Sequence, residues 1–244
     1  MVPIAFLVWR AGGIATLATR NYKEHAIRAG LMICGTYLFV SGLRYLPLAD
    51  AISIAFAGPL FITVLASPML GERVGWRRWM AVLAGFVGIL IIFQPGGSVF
   101  QWAVLFPLGA SCTGALRDIL TRKMSAKESS VSMLTYSTIG VTLGGLFSLP
   151  YGWQPVASAD WIYFVINGVL IGGGHFLMIE TFRHAEAALV APFKYTTVIW
   201  ATLFGFVFFT EVPGASMMIG GAVVIASGIY ILHREHLRRG ARNA

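Results

Sequence analysis

The amino-acid sequence predicts an all-α polytopic membrane protein: two inverted five-helix repeats, the first helix of repeat one absent, and so nine transmembrane helices. Three observations carry this prediction. The chain has too few charged residues to clothe a soluble domain, it contains nine apolar runs of near-membrane length, and it resembles itself at an offset of 139 residues.

Of 244 residues, 57% are hydrophobic and 11% charged, with a mean hydropathy of +0.75. A soluble domain carries about 25% charged residues to solvate its surface. This chain cannot build that shell, so lipid is its solvent. The net charge of +8 raises nucleic acid as a partner, but the basic residues fall in short clusters between apolar runs, which excludes it. Cys34 and Cys112 both sit inside apolar runs and read as small core residues. The five histidines are scattered, and no metal or nucleophile constellation and no Gly-rich phosphate loop appears. No cofactor, no metal and no enzymatic activity are expected. Residues 2–19 lack a basic leader segment and a cleavage site, so they read as a retained span.

A bilayer core about 30 Å thick requires about 20 apolar residues in helical form. The runs 2–19, 29–43, 50–70, 79–94, 99–116, 129–150, 161–179, 187–209 and 212–232 approach or meet that length. A β-barrel would need alternating segments of about ten residues, which are absent. Of the 18 Lys and Arg residues, 15 fall in 20–28, 71–78, 117–128, the Arg183 segment and the tail, and only Arg44 falls in the loops between. Positive charge marks the cytoplasmic side, so the C-terminus is expected in the cytoplasm and Met1 outside.

The segment 42–75 lies over 181–214 without a gap: Arg44 meets Arg183, Ala49 meets Ala188, Thr63 meets Thr202, Glu72 meets Glu211 and Gly75 meets Gly214. The shared Arg…Glu spacing marks a repeat rather than chance pairing of apolar residues. The second copy holds five spans and the first only four. An odd number of spans per copy makes two tandem copies face opposite ways, as in secondary transporters with a midplane solute site. The expected domains are 1–96 (four helices), 97–233 (five helices) and a basic tail, 234–244.

The run LRYLPLADAISIAFAGPLFITVLASPMLGERVGWRRWMAVLAGFVGILIIFQPG (43–96) resembles the EamA-type repeat of the drug/metabolite transporter superfamily. FKYTTVIWATLFGFVFFTEVPGASMMIGGAVVIASGIYIL (193–232) resembles its usual second copy. The resemblance implies a ten-helix fold with alternating access to a central cavity. It further implies an inner-membrane secondary transporter of amino-acid-like, nucleoside-like or other small organic solutes. GERVGWRRW (71–79) and TEVPG (210–214) are specific to the family and silent on substrate. The departure is the absent first helix. It keeps open a second reading, a truncated non-transporting remnant or membrane assembly partner. An integral-membrane enzyme is disfavoured, because no His or Asp cluster marks a membrane face. The expected partners are a small-molecule substrate and the bilayer, and a homodimer is compatible with the sequence.

Seven residues are candidates for substrate binding. Arg10 lies within a span, where a cation costs about 2.5–3.5 kcal/mol; it either holds a solute carboxylate or clamps neighbouring backbone. Lys194 lies deep in its span behind Pro192, which weakens the local helix and lets Lys194 and Tyr195 face a cavity. Pro59, after Gly58, marks either a broken helix that exposes carbonyls or a packing kink. His175 follows Gly172, Gly173 and Gly174, and is either a satisfied core residue or a proton carrier. Phe56 and Trp200 either stack on a planar solute or pack between helices. Glu72 and Glu211, at span ends, read as structural, as do the boundary pairs Arg117–Asp118 and Glu180–Arg183.

Overall fold

A computed structural model describes residues 2–46, 48–72, 74–93, 102–147, 149–153, 157–209 and 214–243. Among them every regular element is helical and none is a strand. The turn segment TEVPG and its Glu211 fall, but for Gly214, outside the described residues. Backbone amides in lipid have no water to bond to, so a chain this apolar satisfies them within helices.

The chain divides into two compact units, one of residues 1–34 and 120–185, the other of 35–119 and 186–244. The first holds α1 (Val2–Arg10), the start of α2 (Tyr22–Gly42), the end of α6 (Leu105–Met124), α7 (Ser130–Leu146) and α8 (Trp161–His184). The expected span 2–19 is not continuous: Gly12 (φ 110°) and Gly13 (φ 80°) take positive φ and end α1, and a short 3-10 turn follows at Ile14–Leu17. Arg10 therefore sits in the last turn of α1, where a cation complements the helix dipole. Ser129 caps α7, accepting from the Ser132 amide at 3.0 Å. Close packing of α2 on α7 uses Gly140, where an added Cβ would stand 2.5 Å from the Ala29 Cβ. Ile4, Met124, Met133, Leu134 and Ile179 form the buried core. Every residue of α8 from Trp161 to Leu170 is exposed and nearly all are apolar, a surface that calls for lipid rather than water.

The second unit contains the end of α2, α3 (Leu48–Ala55), α4 (Gly58–Leu70), α5 (Trp76–Phe93), most of α6, α9 (Ala187–Val190), α10 (Thr196–Phe209) and α11 (Ala215–Asn243). The expected spans 50–70 and 187–209 are each broken. The first parts at Phe56–Ala57, just before the Gly58-Pro59 start of α4. The second parts at a 3-10 turn, Ala191–Tyr195, which contains Pro192. Proline lacks the N–H that would continue either helix. The two broken elements begin at 48 and 187 and end at 70 and 209, the same 139-residue offset that relates their sequences. Among the described residues, Trp102–Met124 and Trp161–His184 are the helices long and apolar enough to cross a membrane uninterrupted.

The largest helix–helix contact of this unit joins α5 to α11. Its closeness depends on Gly88 and Gly220: a Cβ on Gly220 would stand 2.5 Å from the Gly88 carbonyl oxygen, and one on Gly88 would stand 2.9 Å from that of Gly220. In lipid, where apolar side chains gain little by leaving solvent, such small-residue seams hold helices together. Gly220→Val is expected to part the seam and destabilise the protein by about 1–3 kcal/mol, read as a lowered unfolding midpoint in detergent. Gly221→Ala, whose Cβ would meet nothing within 4 Å, leaves the midpoint unchanged.

Candidate functional site

The two breaks of the second unit face α6. The Ser111 hydroxyl lies 2.8 Å from the Ala55 carbonyl, which Pro59 has no N–H to meet, and 2.9 Å from the Pro107 carbonyl of its own helix. Two turns further along α6, buried Asp118 meets the other break: its Oδ2 accepts from Lys194 Nζ in the 3-10 turn. Oδ1 accepts from Arg117 Nε at 3.0 Å and Nη2 at 2.7 Å. Ser111 and Asp118 are seven residues apart, two helical turns, and so share a face of α6. Beside Lys194, Tyr195 is wholly buried (0% exposed). Its ring centroid lies 6.2 Å from that of Phe56, and its hydroxyl has no hydrogen-bond partner among the described residues.

The loop that ends α4 secures the start of α9. Gly71 adopts a left-handed φ of 69° and closes α4, and Glu72 then accepts from the amides of Ala187 (2.9 Å) and Ala188 (3.1 Å). A carboxylate at a helix start also meets the positive end of the dipole. Arg78 donates to Glu186 at 2.6 Å in the same place. The structural role expected for Glu72 is thus a cap, on α9 rather than on the helix that follows it.

The first unit has an open cavity of about 240 Å³ between α1, α2, α7 and α8. Its walls are apolar at Ile4, Met32, Leu134, Val141 and Ile171, and polar at Arg28, Ser137, Thr138, Thr142 and His175. Gly168 and Gly172 of α8 leave the room: an added Cβ on either would meet nothing within 4 Å. The glycines before His175 therefore open space and do not serve close packing. Arg28 is buried and held by Thr121 (2.8 Å), the Met133 carbonyl (2.9 Å) and Ser137. His175 Nδ1 lies 3.1 Å from the Ile171 carbonyl.

Of the seven sequence candidates, Phe56, Pro59, Lys194 and Tyr195 gather at the two helix breaks. Pro59 is buried, its carbonyl accepting from Thr63 at 2.8 Å. His175 lines the cavity of the first unit. Trp200 is 56% exposed on α10, 6.1 Å from the Phe204 ring, and Arg10 is exposed at the end of α1. Sequence reasoning placed Arg28 among the loop cations and read Asp118 only as the neighbour of Arg117. Their i, i+7 relation gave Ser111 and Asp118 a shared helix face, but nothing in the sequence named Lys194 as the partner.

At the loops 20–28 and 117–128, Glu128 ties the start of α2 to the α6–α7 turn. Its Oε1 accepts from Thr19 (2.6 Å) and Asn21 (2.7 Å), and its Oε2 lies 3.4 Å from His25 Nε2. Burial works to raise the Glu128 carboxyl, but the contacts from Thr19, Asn21 and His25 together outweigh it and hold it below its ordinary range. Burial lowers His25 by more than the attraction of Glu128 raises it, so the ring is neutral at pH 7. Both groups bind fewer protons folded than unfolded, and their contribution is complete above about pH 6.5. On acidification it is lost first through His25, then, below about pH 4.3, through Glu128. The unfolding midpoint in detergent is expected to fall from pH 7 to pH 3, and Glu128→Gln to flatten the part of that fall below about pH 4.3.

A helical, apolar chain with broken helices, buried charge and an apolar cavity carrying polar groups has the construction of a membrane carrier. The chain belongs to the EamA-like transporter family, whose model matches residues 1–94 and 101–233, and is accordingly a membrane transporter of small metabolites, not an enzyme. It is 28% identical over 238 residues to an S-adenosylmethionine uptake transporter of Rickettsia prowazekii (strain Madrid E), covering 96% of this chain and 79% of the relative. It is 29% identical over 222 residues to a riboflavin transporter of Vibrio cholerae serotype O1, covering 90% and 74%. A solved crystal structure superposes with a TM-score of 0.81 at 18% identity, covering 93% of this chain and 81% of that one, a likeness of fold.

Proposed function

We propose that the protein carries an amino-acid-like or nucleoside-like solute across the inner membrane by alternating access, with its C-terminus in the cytoplasm. The observation that carries this reading is the pair of broken helices in the second unit, related by 139 residues and lined by Phe56, Lys194 and Tyr195. Their spacing supports two copies of one repeat facing opposite ways, over 1–96 (four helices) and 97–233 (five helices), and the charge census supports the orientation. The printed names of the relatives support the solute class, since S-adenosylmethionine joins an amino acid to a nucleoside and riboflavin is a planar heterocycle on a polyol. At the helix breaks Lys194 supplies a cation for a carboxylate, and Phe56 and Tyr195 supply aromatic surface. In the first unit Arg28 and His175 supply polar groups on an apolar cavity.

Uptake of radiolabelled S-adenosylmethionine, riboflavin and a broad panel of amino acids and nucleosides into proteoliposomes tests the reading. At least one solute is expected to enter faster than into empty vesicles; flux equal to the empty control across the panel overturns it. For a carboxylate-bearing solute, Lys194→Met is expected to raise KM by roughly ten- to a hundredfold, the loss of one charge-assisted hydrogen bond. An unchanged KM removes Lys194 from the site.

A further inference from the structure

The geometry points to Asp118 as a built-in stand-in for the solute's carboxylate: in the empty protein it holds Lys194, and an arriving carboxylate displaces it. This rests on the transport reading above and deepens it by assigning the solute a carboxylate and Asp118 a positioning role. The two oxygens of Asp118 divide their partners. Oδ1 takes both bonds from Arg117, its sequence neighbour on α6, and Oδ2 takes Lys194. The Asp118 side chain is 2% exposed and that of Lys194 is 28% exposed. A buried carboxylate cannot be left without a counter-charge. With Arg117 in place, however, Lys194 can leave without stranding it.

Lys194 is also built to leave. It rides a 3-10 turn between α9 and α10, and its ammonium ends a flexible four-carbon stem that carries a compact charge. Lys194 is not needed to neutralise the carboxylate, since Arg117 already does so. What Lys194 loses on leaving Asp118 it regains only from another anion of like geometry. Solutes without a carboxylate do not offer one, so the exchange favours carboxylate-bearing solutes over neutral ones of similar size.

The test follows the reactivity of Lys194 itself. Detergent-solubilised protein is treated with trinitrobenzenesulfonate, and modification of Lys194 is read by mass spectrometry. In the wild type Asp118 engages the amine and labelling is slow. Asp118→Asn is expected to speed it severalfold and Asp118→Glu to restore the slow rate. S-adenosylmethionine, which bears a carboxylate, is expected to slow labelling of the Asp118→Asn protein more effectively than of the wild type, and riboflavin, which bears none, to leave both unchanged. Equal labelling of wild type and Asp118→Asn overturns the proposal, as does protection by both compounds or by neither. Should Asp118→Asn not accumulate, two further variants decide. Lys194→Met is expected to unfold within a few degrees of wild type, because Arg117 remains, and Arg117→Met well below it; equal damage from both makes the pair structural and overturns the exchange. Empty-vesicle flux with the labelling pattern intact would instead count against transport alone.

Discussion

A polar group in lipid must find its partner inside the protein, and this constraint organises most of what is specific about the chain. A continuous helix meets it automatically. A helix that breaks strands carbonyls and amides, and each must then be met by a side chain from elsewhere. Ser111 meets the Ala55 carbonyl released at the end of α3, Thr63 bonds back to Pro59, and Glu72 takes the amides that open α9. The same rule applies more strongly to charge. Asp118 lies between Arg117 and Lys194, and Arg28 is surrounded by a threonine, a serine and a backbone oxygen. At both helix breaks a side chain meets a stranded group or a charge, while the Tyr195 hydroxyl has no partner among the described residues.

Breaks and charges of this kind cost stability that straight apolar helices would keep, and they are confined to a few places. The α5–α11 seam has neither: it is a glycine contact between two regular helices, with Val224 and Ile89 buried beside it. The rigid part of the second unit and its polar, interrupted part are therefore separate, and Tyr195 touches both. Its ring fills the space at Gly85 of α5, while its neighbour Lys194 reaches Asp118 on α6. A displacement of the 3-10 turn would be felt at the seam through that side chain.

The fold was largely legible because it follows from one-dimensional patterns. Apolar run length set the elements, and the 139-residue self-similarity anticipated the matched limits of the two broken elements. Pro59 and Pro192 gave the breaks, since proline removes a donor wherever it stands. Span 2–19 was misjudged because hydropathy counts Gly12 and Gly13 as compatible with a helix, whereas their backbone takes positive φ and ends it. The site was less legible. Lys194 stood out as a charge in an apolar run, but its partner is 76 residues away, and Asp118 beside Arg117 looked already satisfied. Arg28 was hidden by the opposite error: it sits at the edge of a basic loop, yet its side chain turns inward to Ser137.

Each unit is assembled from stretches of chain that are far apart in sequence, and the two units alternate along the chain. Synthesis runs at about 5–20 residues per second, so α5 enters the membrane several seconds before the residues of α11 that will cover Gly88 exist. Through that interval Glu72 has no amide of α9 to cap, because Ala187 lies 115 residues downstream. The nascent first half must wait with an unfilled seam and an uncapped carboxylate. That makes insertion of this chain a problem of holding a half-built bundle open until its own second half arrives.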